Sequence, residues 1–115
     1  MASIRYESSV KYKLVMAIMV LSVAVVGPAI AQSAGSDTYK AKCQVCHGAD
    51  GLGNTPPGKA LKARPLNSPE VLKESDAEMI AVIKIGKGKM PAFAAKLTDA
   101  QIPDLVAYIH TLQKK

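Results

Sequence analysis

The residues with the most chemistry at a defined spacing are Cys43-Gln44-Val45-Cys46-His47. On a helix, side chains at i and i+3 share a face, with i+4 beside them. Two thiols so placed can form thioethers to the two vinyl groups of one porphyrin, and the histidine that follows can reach its iron. C-x-x-C-H is the attachment pattern of a c-type haem. Cys43 and Cys46 are therefore candidates for covalent haem attachment, and His47 for an axial ligand. Other uses of the pair are a redox dithiol, a disulfide or half of a zinc site. The dithiol belongs in a strand–helix context that does not surround this motif. A disulfide at this spacing inside a helix would be strained. Zinc would need a second pair of ligands, and the chain has only 2 cysteines and 2 histidines, the other being His110.

An iron held by one histidine has a second axial position. Met90 is the candidate, because it sits in a Gly/Lys loop before Pro91, where apolar packing gives it little reason to be. Met79 lies within an apolar helical stripe, where methionine usually fills core space. His110 offers a bis-histidine alternative, although a lone histidine on a helix more often serves a surface or capping role. A thioether ligand is soft and neutral, so it favours ferrous iron and raises the reduction potential. With both axial positions filled, ligand chemistry is suppressed and one-electron transfer remains.

The elements that must position these residues read as helices. A first helix is predicted from about Ser33 or Ser36 to Cys46, capped by a serine or Asp37 and ended by Gly48. The stretch from Asn54 to Ser68 contains Pro56, Pro57, Gly58 and Pro65 and reads as a loop with one helical turn near Lys59–Lys62. A carbonyl near Pro56 or Pro57 is expected to accept the second ring N–H of His47, as metal-bound histidines usually require such a partner. Ser68-Pro69-Glu70 opens a short helix. Ser75-Asp76-Ala77-Glu78 fits a capping box that starts a helix ending at Gly86. Thr98-Asp99-Ala100-Gln101 is a second box, opening the last helix. Pro103 should bend or loosen that helix's start by crowding the Asp99 carbonyl. No segment alternates with a period of two, so the domain is expected to be all-α.

The N-terminal third has a different character. Arg5, Lys11 and Lys13 precede an apolar run, Leu14–Val26, followed by Gly27-Pro28 and Ala29-Ile30-Ala31. This is the layout of a secretory signal peptide, with residues 1–31 expected to be cleaved before Gln32 and residues 32–115 forming the domain. A retained anchor is the alternative, but the run is shorter than the roughly 20 residues that span a bilayer comfortably. Beyond Ala31 the chain keeps all but three of its 15 basic residues and all but one of its 9 acids, so it remains cationic. It has no tryptophan and a single phenylalanine, Phe93. So short a domain builds a thin core unaided, and a buried porphyrin would complete it.

Gly35-x-x-x-Tyr39, CQVCHG, the glycine-rich loop, KMPAF and LTDAQIPDLVAYI together resemble the class I c-type cytochromes, in particular the short bacterial single-haem members. The likeness covers nearly all of Gly35–Leu112. It implies three to four helices wrapped around one covalently attached haem c. It implies that Cys43 and Cys46 attach the haem, that His47 and Met90 are axial ligands, and that the first and last helices cross where Gly35 admits close approach near Tyr39 and Tyr108.

The expected function is that of a periplasmic, monomeric electron carrier rather than an enzyme. No nucleophile–base pair or carboxylate dyad appears in the sequence. Lys59, Lys62, Arg64, Lys84, Lys87, Lys89 and Lys96 fall around the segments expected to frame the haem edge, which would favour acidic redox partners. Nucleic acid is not an expected partner, and no membrane span is expected after cleavage. Two alternatives stand beside this reading. One is a small-ligand-binding or peroxidase-like haem protein without Met90 on the iron. The other is an electron-transfer subunit of a dehydrogenase or oxidase complex.

Overall fold

The computed structural model describes residues 28–115. The predicted signal segment therefore lies outside the described residues, except for its last four, which begin the first helix. The described residues contain six helical segments, α1 (Pro28–Lys42), α2 (Gln44–His47), α3 (Pro56–Leu61), α4 (Pro69–Leu72), α5 (Asp76–Ile85) and α6 (Gln101–Gln113). They include no β-strand, only an isolated bridge between Lys87 and Met90. The expected all-α architecture is the one observed, with three longer helices and three of one or two turns.

Ser33, Ser36 and Asp37 lie inside α1 rather than capping it. The first helix also does not run unbroken through the motif. It gives way to a turn at Cys43, whose carbonyl accepts from the amides of Cys46 (3.2 Å) and His47 (2.9 Å). Gly48 then ends α2 at φ 78° and ψ 163°, a region open to glycine but costly for a side chain.

α1 packs directly on α6, and Gly35 is what lets them approach. A methyl group there would overlap the Asp104 carbonyl and lie 3.1 Å from the Tyr108 Cβ. Beside that contact the rings of Tyr39 and Tyr108 sit 5.3 Å apart, tilted by 55°. Ile102, Leu105 and Val106 of α6 are almost completely buried, and they join Met79 and Ile83 of α5 in one core. This core exists because α6 presents its apolar residues at helical spacing to both neighbours.

The capping boxes before α5 and α6 are expressed, whereas Ser68 precedes α4 without a side-chain cap bond. Ser75 and Glu78 form a reciprocal capping box at α5, and Gly86 ends that helix. Thr98 and Gln101 exchange side-chain and main-chain bonds of 2.9 and 3.2 Å ahead of α6. The α-helix proper starts only at Gln101, after a turn at residues 99–100. Pro103 thus occupies the third helical position, where its missing N–H would have had no intrahelical acceptor. Pro103 lies within the first turn, so it removes no intrahelical hydrogen bond, and the expected crowding of the Asp99 carbonyl falls outside the helix.

His110 joins α6 to α5. Gln113 donates its Nε2 to the Leu66 carbonyl at 3.0 Å, so its Oε1 faces His110 Nδ1 at 2.8 Å. The Asp76 carboxylate lies 2.7 Å from Nε2. Both ring nitrogens face acceptors, so this geometry belongs to the charged imidazolium. Asp76 foremost, and Gln113 next, hold the His110 pKa above its ordinary value.

Candidate functional site

A cavity of about 770 Å³ opens between the helices. That volume lies within the roughly 300–1,000 Å³ of small-molecule and cofactor pockets. Cys43, Cys46 and His47 form part of its wall from the turn and α2, and Met90 lines it from the loop after α5. Ile83, Leu105 and Ile109 add apolar surface from α5 and α6. All four residues singled out in the sequence are therefore gathered at one site. Met79 also reaches the wall, from inside the core cluster, whereas His110 does not line the cavity and is engaged with Asp76 and Gln113.

The motif is held from both ends. Tyr39 is buried and donates its hydroxyl to the Gly48 carbonyl at 2.7 Å, fixing the exit from α2. Burial is the main cause that pushes the Tyr39 pKa upward. On the other side, the Thr55 hydroxyl bonds the carbonyls of Val45 (2.7 Å) and Cys46 (3.0 Å) and accepts from the Gly58 amide (3.0 Å). One side chain thus caps α3 and satisfies open carbonyls of α2. Gly58 is needed there, because a methyl group would overlap the Cys46 carbonyl.

Both cysteines are free and partly buried. Burial, with Cys46 contributing, pushes the Cys43 thiol up to about 11. Dithiol oxidoreductases instead lower the pKa of the attacking cysteine, so the redox-dithiol use is disfavoured. Nδ1 of His47 is buried and lacks a hydrogen-bond partner among the protein atoms. The polar group that acts on this ring is the main chain of Arg64, although its approach falls short of hydrogen-bond geometry. The carbonyls of Pro56 and Pro57 do not play the expected part. Burial is the largest influence on the ring and holds its pKa below the ordinary histidine value. A metal-bound imidazole turns one nitrogen to a main-chain acceptor and keeps the other for the metal. With Nδ1 buried, Nε2 would be the nitrogen available to a metal. Two thiols, an imidazole and a thioether around an apolar cavity of this size fit a haem.

The cavity wall is strongly cationic. Lys42, Lys62, Arg64, Lys87, Lys89 and Lys96 line it, against a single acid, Glu74. Lys59 and Lys84, expected among them, do not, and Lys84 pairs instead with Asp99 at 2.6 Å. Val45 and Leu61 bring exposed apolar surface to the same rim, at 64% and 42% exposure. Lys42, Thr55, Val45 and Leu61 were not singled out in the sequence. Thr55-Pro56 was a readable cap signal, but nothing local announces the rim residues.

The family sequence model described as "Cytochrome C oxidase, cbb3-type, subunit III" matches residues 31–109. Among curated relatives, a cytochrome c6 of Gloeothece citriformis is 33% identical over 106 residues, which are 83% of this chain and 86% of that protein. The cytochrome c6 of Leptolyngbya boryana is 35% identical, across 67% of this chain and 87% of its own. The Cbb3-type cytochrome c oxidase subunit CcoP of Azospirillum brasilense is 35% identical over 73% of this chain, but the match spans only 29% of that longer protein. Among solved structures, the KustC0563 c-type cytochrome superposes with a TM-score of 0.63 at 33% identity, covering 69% of this chain and 96% of its own. The chain belongs to the class I c-type cytochromes, as a small member carrying covalently bound haem c.

Proposed function

We propose that this cytochrome is a periplasmic one-electron carrier in which Cys43 and Cys46 hold haem c through thioethers and His47 and Met90 are the axial ligands. The observation that carries the reading is that these four side chains meet on the wall of one apolar cavity, which His110 does not line. The haem, when bound, supplies an iron that alternates between the ferric and ferrous states. The chain's part is to bury that group, occupy its axial positions and keep a rim exposed to partners. Val45 and Leu61 give this rim apolar contact, and Lys42, Lys62, Lys87, Lys89 and Lys96 give it positive charge. Such a surface suits a redox partner with an acidic docking face, met by a monomer.

Export follows from the N-terminal pattern, with residues 1–31 removed between Ala31 and Gln32. No helix among the described residues is long and apolar enough to cross a membrane. A mature protein beginning at Gln32 by mass spectrometry supports cleavage, and an intact Met1 refutes it.

The decisive experiment is the absorption spectrum of the oxidised and reduced protein. A far-red methionine-to-ferric-iron band should be present and should vanish in Met90→Ala but persist in Met79→Leu. High-spin, carbon-monoxide-reactive haem in the wild type would refute the ligand assignment and favour a ligand-binding or peroxidase-like role. A second reading, an electron-transfer subunit of an oxidase, is favoured by the cbb3 family match and the CcoP relative. Stoichiometric co-purification with an oxidase would establish it over the free carrier.

A further inference from the structure

Glu74 is the one acid on a cavity wall that carries six basic side chains. It follows α4 and directly precedes the capping box that starts α5. Its side chain is largely buried, at 16% exposure, and a single oxygen, Oε1, accepts from Arg64 Nη1 at 3.2 Å and from Lys87 Nζ at 3.5 Å. These partners belong to different walls. The main chain of Arg64 is the polar group acting on the His47 ring. Lys87 forms the two-way bridge to Met90, donating its amide to the Met90 carbonyl at 3.2 Å and accepting the Met90 amide at 3.0 Å.

We infer that Glu74 is a positioning residue for the methionine ligand, its carboxylate tying the loop that carries Met90 to the segment that lies beside His47. The inference rests on the proposed His47/Met90 ligation. Beside this tie, the loop is held by Met90 packing against the core cluster and by a weak main-chain bridge. Lys87–Met90 is an isolated bridge, and Lys87, Gly88 and Lys89 are exposed. Phe93 and Ala94 anchor only its far end, through bonds to the carbonyls of Ile83 (2.9 Å) and Lys84 (3.2 Å). Exposed ion pairs contribute little on their own. Glu74 is the less exposed partner of both pairs, at 16% against 40% for Arg64 and 57% for Lys87. One carboxylate shared by two cations from different segments ties those segments together, while Glu78 also acts on Lys87.

The test is Glu74→Gln in the haem-loaded protein, which keeps the side chain's volume and its ability to accept from Arg64 but removes the charge. The far-red methionine band should disappear at a lower temperature than in wild type, while the helical far-UV signal melts at a temperature changed by less. Where the band is intact, the reduction potential should lie above wild type, because a negative charge near the iron has been removed. Lys84→Gln, which breaks an ion pair away from the cavity, should change neither the band nor the potential. If the band and helix midpoints fall together by equal amounts, or the band midpoint and potential do not move, Glu74 does not position the ligand. A wild-type spectrum without the band would instead overturn the Met90 assignment itself, and the role of Glu74 with it.

Discussion

Replacing Cys43 and Cys46 with alanine should leave a chain that cannot fold cooperatively without haem. The cavity these residues border is about 770 Å³. Enclosed dry voids in cores cost about 24 cal/mol per Å³, which sets an upper bound of about 18 kcal/mol for this volume, against the roughly 5–15 kcal/mol of a whole domain. Collapse of the walls and entry of water recover part of that. Even a few kcal/mol of that would be a large fraction of the stability of an ordinary domain. The walls also cannot collapse freely, since α1 and α6 are already in contact at Gly35 and Tyr39. The assay is far-UV circular dichroism against temperature on the double variant, in samples shown to be free of haem absorbance. That control matters because His47 and Met90 remain and could retain haem without covalent bonds. A broad, non-cooperative loss of a weakened helical signal is expected. A sharp transition from wild-type helical content would show that the protein core suffices alone and would refute the argument.

Gly35→Ala should destabilise the haem-loaded protein: the overlap with the Asp104 carbonyl costs about 1–3 kcal/mol, against a gain of about 1 kcal/mol in helix propensity. A net loss near 1 kcal/mol lowers Tm by roughly 4–8 °C in a domain this size, and a variant that melts at or above wild type would contradict the close approach. His110 should give stability a pH dependence: its folded-state pKa is raised, so its contribution is complete below the ordinary histidine value and is lost as pH rises through the folded one. His110→Gln should flatten thermal melts across that window, and an unchanged profile would remove the Asp76 tie as its source. The rate of electron exchange with an acidic partner should fall about tenfold or more from low to high ionic strength, and stopped-flow rates indifferent to salt would dismiss the cationic rim as a steering surface.

What could be read from the sequence was whatever its chemistry kept local. The Ser75–Glu78 and Thr98–Gln101 boxes, Pro69 at a helix start and Gly86 at a helix end each involve residues within three or four positions, and each is expressed in the fold. The cysteines, His47 and Met90 stood out in the sequence by type and spacing, and the fold brings them to one cavity. What escaped depends on contacts distant in sequence. Serines and an aspartate that resemble caps lie inside α1, because packing on α6 overrides their local preference. The prolines near residue 56 suggested a stiff acceptor for His47, but the chain brings Arg64 to the ring instead. Lys84 and Lys89 look alike in sequence, yet one is drawn to Asp99 and the other lines the cavity.

The same distinction separates the two functional readings. Attachment and ligation reside in residues of fixed type, so a free carrier and an oxidase subunit would show them alike. Partner choice resides in the rim, where Val45 and Leu61 are exposed among lysines. A permanent subunit interface tends to be larger and more apolar, whereas a transient redox encounter is small and steered by charge. Two exposed apolar side chains within a cationic border fit the transient case. The cytochrome c6 relatives are matched over most of their length, whereas the match to CcoP covers 29% of a longer protein. The rim therefore argues for a partner that docks, exchanges an electron and leaves.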